Sequence, residues 1–322
     1  MPAVSLVVCA HGQIDLLQRL LLRSQSCYDD LVVVHDGSAD GDDDDPTCEH
    51  RRPLVGVDYS GYHPQSPPPA EYSKGNSSPR PESIQALVER HRGRYFEGAR
   101  CFEQEPHWPF AWSQAKNDWI LRLDADEFPS PELVAWLLEF RVSREPEPDI
   151  SGYTCTWPLW NGKRVTSSRW PAGRIFLINR RHVRFFGMVE QSPVADGRFA
   201  ALSLVLNHQP KRTAYGVRNV LLRRQSYYWR SVISRSLIGK PTDLPRWRWN
   251  VAEWPEPWKS IRHHPLKYGL SALIRYPFYQ FASMIQAGVI PNLSASLNPG
   301  LHHFMLGLRV RAENRRRRLR TP

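Results

Sequence analysis

Three carboxylates around one alanine, Asp124-Ala-Asp126-Glu127, close an apolar run, Trp119-Ile-Leu-Arg-Leu123. A second run, Leu31-Val-Val-Val34, ends in His35-Asp36-Gly37-Ser38-Ala39-Asp40. Short apolar runs bounded by polar turns are the pattern of buried strands. In an open α/β sheet, ligands bind in the crevice outside the carboxyl ends of the strands. Acids delivered there suit a hard divalent cation, Mn²⁺ or Mg²⁺, bridging the oxygens of a diphosphate. The chemistry so described is the handling of a nucleotide-linked substrate with a metal. Asp126 is the expected metal ligand, and Asp124 is expected on the donor nucleotide.

A lone Asp-x-Asp would say little, but the flanking elements give it context. Pro129-Ser130-Pro131-Glu132 opens a helix with Ser130 as N-cap and Pro131 at the first helical position. Its apolar stripe is Leu133, Val134, Leu137, Leu138 and Phe140. Upstream, Val4 to Ala10 reads as a strand, and Asp15 caps a helix with Leu16, Leu17, Leu20 and Leu21 on one side. Strand and helix alternating in this way imply a mostly parallel sheet covered by helices. The segment Ser83 to Cys101 reads as helical, and the aromatic cluster Trp108 to Trp112 as core. Tyr153 to Trp157 and Arg174 to Ile178 alternate as strands do, and Leu204-Val-Leu-Asn-His208-Gln209 closes another apolar run.

Taken in order, Val4-Ser-Leu-Val-Val-Cys-Ala-His11, Leu31 to Asp40 and Ile120 to Glu127 resemble family 2 glycosyltransferases of the GT-A fold. The likeness is to the bacterial branch that adds sugars to lipopolysaccharide cores and related cell-surface glycans. It implies a Rossmann-like α/β domain over residues 1–215, followed by a helical, membrane-associating extension over 216–322. It also implies that the turns after the first two strands hold the nucleobase and ribose, here at Ala10, His11, Asp36 and Gly37. The family's usual asparagine is replaced by His11 and its second aspartate by His35. The family's acceptor turn, glycine-x-valine-histidine-glutamate, falls at Gly187-Met-Val-Glu190-Gln191, where its last two positions are shifted or substituted. Displacement at an anomeric carbon with inversion needs a base near the acceptor hydroxyl. Glu190 is the expected base, with Asp196 and Glu127 behind it. GT-A enzymes often add a histidine at the position of His208 as a metal ligand, and Arg174 is expected to pair with the diphosphate. The processive-synthase motif is absent, because Gln225 is followed by Ser-Tyr-Tyr-Trp229, so transfer of a single sugar is expected.

Composition fits such an enzyme. The 322 residues are 41% hydrophobic, enough for one substantial core and a smaller appendage. The five cysteines form no Cys-x-x-Cys pair, so neither a zinc site nor a disulfide framework is indicated. No charged-then-apolar leader opens the chain, and the expected location is cytoplasmic. Charge is divided: residues 1–130 carry 12 Lys and Arg against 21 Asp and Glu, and the remainder 31 against 11. A split this large sets an acidic, metal-binding half against a half suited to anionic surroundings.

The carboxyl-terminal third reads as a contact with the inner face of the cytoplasmic membrane. Leu266, Leu270, Leu273, Ile274, Phe281, Met284 and Ile285 form a helical stripe, interrupted by Lys267, Arg275 and Pro277. That is too charged for a span and suits an interfacial segment. Trp247, Trp249, Trp254 and Trp258 precede it as interfacial aromatics do, and seven arginines from Arg309 to Arg320 follow it against Glu313 alone. The partners expected are a nucleotide-sugar donor, a lipid-linked or glycan acceptor and an anionic membrane surface, with no nucleic acid. Residues 42–82, rich in acid, proline and serine, read as a mobile loop. The alternative is a metal-dependent nucleotidyltransferase on a similar sheet. It would want a glycine-rich phosphate loop after the first strand, where Ala10-His-Gly-Gln13 offers only Gly12.

Overall fold

The structure is a computed structural model that describes residues 1–10, 14–37, 83–99, 104–143, 146–160, 165–167, 173–185, 192–209, 217–222, 258–286 and 293–318. Its centre is a mixed eight-stranded sheet in the order β3-β2-β1-β4-β9-β6-β12-β5. The strands are β1 (Val4–Ala10), β2 (Asp30–Gly37), β3 (Arg94–Ala99), β4 (Trp119–Asp124), β5 (Glu127–Pro129), β6 (Ile150–Thr156), β9 (Arg174–Asn179) and β12 (Arg198–His208). Strands β3, β2, β1 and β4 are parallel neighbours. β9 runs antiparallel to both β4 and β6, and β5 antiparallel to β12. This is the expected α/β architecture, a sheet flanked by helices with further helices at the carboxyl end.

Alternation along the strands builds two covered faces. Val4, Leu6, Val8 and Ala10 of β1 join Leu31 and Val33 of β2 and Trp119, Leu121 and Leu123 of β4 in one core. Onto it pack α1 (Ile14–Ser24), α2 (Ile84–Arg90) and α4 (Pro131–Val142), through Leu17, Leu87 and Leu133 among others. α3 (Trp108–Gln114) covers β1 and β2 from the other side, where Phe110 meets Phe96 edge-on at 5.3 Å. Trp108, Phe110 and Trp112 are all buried, so the aromatic cluster is core as expected.

Local chemistry sets the element ends. Ser130 caps α4, its hydroxyl accepting from the Leu133 amide at 3.2 Å, a contact worth about 1 kcal/mol. Asp15 is a first-turn residue of α1 rather than its cap, a place where its charge still favours the helix dipole. The helix expected over Ser83 to Cys101 is instead a short helix followed by a strand. α2 ends at Arg90, and the chain then turns through Arg92, which adopts a φ of 57°. At Gly93 any Cβ would lie 2.6 Å from the Leu31 side chain. Arg94-Tyr-Phe-Glu-Gly-Ala99 then pairs along β2, where aromatic side chains suit a pleated surface.

The chain divides into two compact units, of which the first holds the whole eight-stranded sheet. A two-stranded pair in the same unit joins β10 (Val183–Arg184) to β11 (Val194–Ala195). The second unit holds the pair β7 (Leu159–Trp160) with β8 (Val165–Ser167), and the helices α5 (Val217–Leu222), α6 (Trp258–His263), α7 (Pro265–Gln286) and α8 (Leu293–Arg318). Trp258, expected as an interfacial aromatic, is 4% exposed, because α6 packs on α7 and α8. Trp247, Trp249, Trp254 and the 42–82 segment lie outside the described residues. No described helix is long and apolar enough to cross a membrane.

Candidate active site

The register of the sheet brings the expected acids to one edge. Ala10 pairs with His35, and Cys9 with Asp124, so the carboxyl ends of β1, β2 and β4 lie side by side. Gly37 ends β2 opposite Ala99. β9 runs the other way, so its first residue, Arg174, starts near the same edge opposite Cys155. His208 ends β12 directly opposite Glu127 of β5. His11 and Glu190 lie outside the described residues. Among the expected residues the edge therefore gathers Ala10, Asp36, Gly37, Asp124, Asp126, Arg174 and His208.

Asp124 and Arg174 form one ionic cluster with the buried Glu127. An Arg174 Nη lies 2.7 Å from Asp124 Oδ2, and its Nε lies 2.9 Å from Glu127 Oε1. The second contact is an ion pair without hydrogen-bond geometry, since both atoms remain without a hydrogen-bond partner. The Asp124 amide donates to Glu127 Oε2 at 2.8 Å, and the Gln104 side-chain amide donates to Asp124 Oδ2 at 2.8 Å. Burial raises the Glu127 carboxyl to about 7, against the opposing pull of Arg174. Asp124 Oδ1 is buried and takes no hydrogen bond among the described residues. It is an acceptor held in place with capacity to spare.

Asp126 and His208 meet beside this cluster, with Oδ2 and Nε2 3.5 Å apart. The imidazole stacks on Trp157 at 4.3 Å between centroids and 22° between planes. The Gln209 amide donates to the Asp126 carbonyl at 2.9 Å, which fixes the turn. Two donors that share an ion at about 2.1 Å each stand about 3 Å apart at right angles. Carboxylate and imidazole together suit Mn²⁺, and carboxylate alone suits Mg²⁺. No group of three His, Cys, Asp or Glu among the described residues could hold a metal. The pair fits an ion that takes its other ligands from substrate oxygens and water, as Mg²⁺ commonly does.

Three contributors were not singled out in the sequence. His107 is fully buried and its Nε2 lies 3.2 Å from Asp36 Oδ1. With a carboxylate as acceptor, the ring nitrogen is the donor. A signal for it lies in the sequence, since His107 immediately precedes the aromatic cluster Trp108 to Trp112. Arg122 is 5% exposed, with its guanidinium 4.8 Å above the Trp108 ring. Burial, and then Arg174, lower it to about 10, so it stays charged at neutral pH. Trp157 was read only as the end of a strand. Asp196, the second candidate base, is exposed on the β10–β11 pair and bonded to Arg184 at 2.9 Å.

No family model matches the sequence, and no curated protein matches it. Among solved structures, the chain is similar to the mannosyltransferase PcManGT from Pyrobaculum calidifontis, in complex with GDP-Man and Mn²⁺. The identity is 12%, over 100% of this chain and 88% of that one, with a TM-score of 0.40. It is also similar to TarS residues 1–349 from S. aureus, at 12% identity over 98% and 91% of the two chains, with a TM-score of 0.33. Likeness this distant carries no argument about activity, which must come from the site itself.

Proposed function

We propose that the chain is a metal-dependent glycosyltransferase. It moves one sugar, with inversion, from a nucleotide-diphosphate sugar to a lipid-linked or cell-envelope glycan acceptor. The observation that most supports this reading is the meeting of Asp126 and His208, 3.5 Å apart, beside the Asp124 cluster at the strand ends. Asp126 and His208 would hold Mn²⁺ or Mg²⁺, which when bound stabilises a leaving diphosphate. Asp36, positioned by His107, accepts from the nucleoside, which Ala10, His11 and Gly37 also bind. Asp124 faces the donor, and Arg174 keeps its carboxylate in place. Glu190 takes the proton as the acceptor oxygen bonds to the anomeric carbon and the bond to the diphosphate breaks. A soluble donor and a lipid-borne acceptor suit a cytoplasmic protein held peripherally on the inner face of the cytoplasmic membrane.

The test is calorimetric titration with a panel of nucleoside diphosphates, with and without Mn²⁺. Binding by the wild-type chain is expected to need the metal. Asp126→Ala should fold normally and lose that dependence. Metal-dependent binding that survives intact in the variant would refute the assignment.

A further inference from the structure

The carboxyl-terminal unit turns an apolar helix face to its surface. On α7, Ile274 and Phe278 are each 74% exposed, and Leu270, Phe281 and Ile285 are exposed with them. Successive steps of four, four, three and four residues put all five on one side of the helix. The strip is about 22 Å long at the helical rise per residue. The opposite side is satisfied, since Ala272, Gln280 and Met284 are buried. There α8 comes close through Gly300, where a Cβ would lie 2.7 Å from Pro277 Cδ, and through Gly307 against the Pro265 carbonyl. Leu293, which opens α8, extends the strip across a groove of about 600 Å³ lined by Ile274, Phe278 and Phe281. The exposed set differs from the stripe read from sequence: Met284 faces the interior and Phe278 faces out.

The surrounding charge says what covers this face. Residues 258–318 hold ten Lys and Arg against Glu313 alone. Glu313 is buried, with Arg309 and Arg316 at 3.7 and 3.6 Å. Lys267 and Arg275 flank the strip on α7 itself and are exposed, as are Arg315 and Arg316 near the end of α8. A second copy of this face would bring two strongly basic surfaces together. An anionic bilayer draws the same charge toward it, and its interface accepts an apolar helix face.

We propose that the α7 face docks on a bilayer containing anionic phospholipid. Leu270, Ile274, Phe278, Phe281 and Ile285 enter the headgroup region, and Lys267 and Arg275 meet the lipid phosphates. This deepens the functional reading above, which supplies the reason for the contact, but its test is independent of nucleotide binding. The full chain is floated with vesicles of phosphatidylcholine, alone or mixed with phosphatidylglycerol. Binding is expected to the mixed vesicles only. It should weaken as salt rises from about 0.1 M to about 1 M and the Debye length falls from about 10 Å to about 3 Å. The double variant Ile274→Ser, Phe278→Ser should bind about tenfold or more weakly, given the apolar area lost. Val142→Ser, which alters a 70% exposed residue of α4, should bind as wild type. Both variants should keep wild-type nucleotide binding and unfolding curves. Equal binding to neutral vesicles, or full binding by the double variant, would overturn the proposal. So would self-association that the double variant abolishes, or salt-sensitive binding to RNA in place of vesicles. Failure of the nucleotide titration alone would count against the enzymatic reading and leave this face standing.

Discussion

Replacing Arg174 by methionine tests whether it holds the acid cluster together. The substitution keeps much of the side chain's length and removes its charge. Arg174 lies within 2.9 Å of both Asp124 and Glu127, and Glu127 is fully buried. Removing one partner from a buried ion pair costs about 3–5 kcal/mol, because it leaves an uncompensated charge. The lower end applies here, about 3 kcal/mol, since Arg174 and Asp124 each keep 15% of side-chain exposure. At about 2–4 °C per kcal/mol for a unit of this size, the midpoint should fall by about 6–12 °C. The deficit also has a pH signature. The Glu127 carboxyl is raised in the folded state from 4.5 to about 7. Its contribution to stability is complete below 4.5 and is lost as pH rises through the folded value. Without Arg174 the folded value moves higher, so the variant goes on losing stability above about pH 7, where the wild type has stopped. Urea unfolding in EDTA, followed by tryptophan fluorescence, should give a larger deficit at about pH 8.5 than at about pH 6. Adding Glu127→Gln to the variant should recover much of the loss at the higher pH. A deficit below about 1 kcal/mol at both pH values, or one equal at both and untouched by Glu127→Gln, would refute the reasoning.

Two further outcomes concern catalysis and donor binding. Glu190→Gln is expected to cut turnover by roughly 10²–10⁴-fold with donor affinity little changed; near wild-type turnover would move the role to Asp196 or Glu127. His107→Phe should weaken nucleoside diphosphate binding about tenfold by removing a charge-assisted hydrogen bond. His107→Gln, which keeps a donor for Asp36, should retain most of the affinity, and equal losses in the two variants would reduce His107 to packing.

What the sequence disclosed was local. β1, β4 and the capped start of α4 follow from runs and caps that need only their neighbours, and each lies within a residue or so of its expected place. The end of α2 is hidden in the sequence because the helical stripe Ile84, Leu87 and Val88 stops at a turn, not at a change of polarity. Only the packing of Gly93 on Leu31 and the pairing of β3 with β2 reveal that stop. On α7, periodicity showed that a stripe existed but not which part of it α8 would take. Close approach at Gly300 and Gly307 decides that. Asp126 and His208 lie 82 positions apart, and they meet because β5 and β12 pair antiparallel. Nothing local in either segment encodes that register.

Arg174, expected on the diphosphate, also has partners within the protein. A guanidinium at the start of β9 suits a diphosphate, but this one already serves Asp124 and Glu127. Among the described residues near this edge, Arg122 is a further cation, and it sits over Trp108. Against these two stand, among the described residues, the carboxylates of Asp36, Glu105, Asp124, Asp126 and Glu127 near the same edge. Even with Glu127 half protonated near pH 7, the carboxylates outweigh the guanidiniums. A diphosphate brings more negative charge to this edge, and repulsion at low dielectric is costly. A divalent cation arriving with it removes that obstacle and uses Asp126 and His208, a pair not committed to Arg174. On this argument the expected metal requirement has its origin in the charge balance of the strand ends, and it should weaken if that balance is changed. Asp124→Asn removes one of these acids and leaves Asp126 and His208 in place. It should therefore let a nucleoside diphosphate bind more readily without Mn²⁺ than the wild type does, which the same calorimetric titration measures. An unchanged or stronger metal requirement in that variant would show that coordination alone, and not charge balance, imposes the dependence.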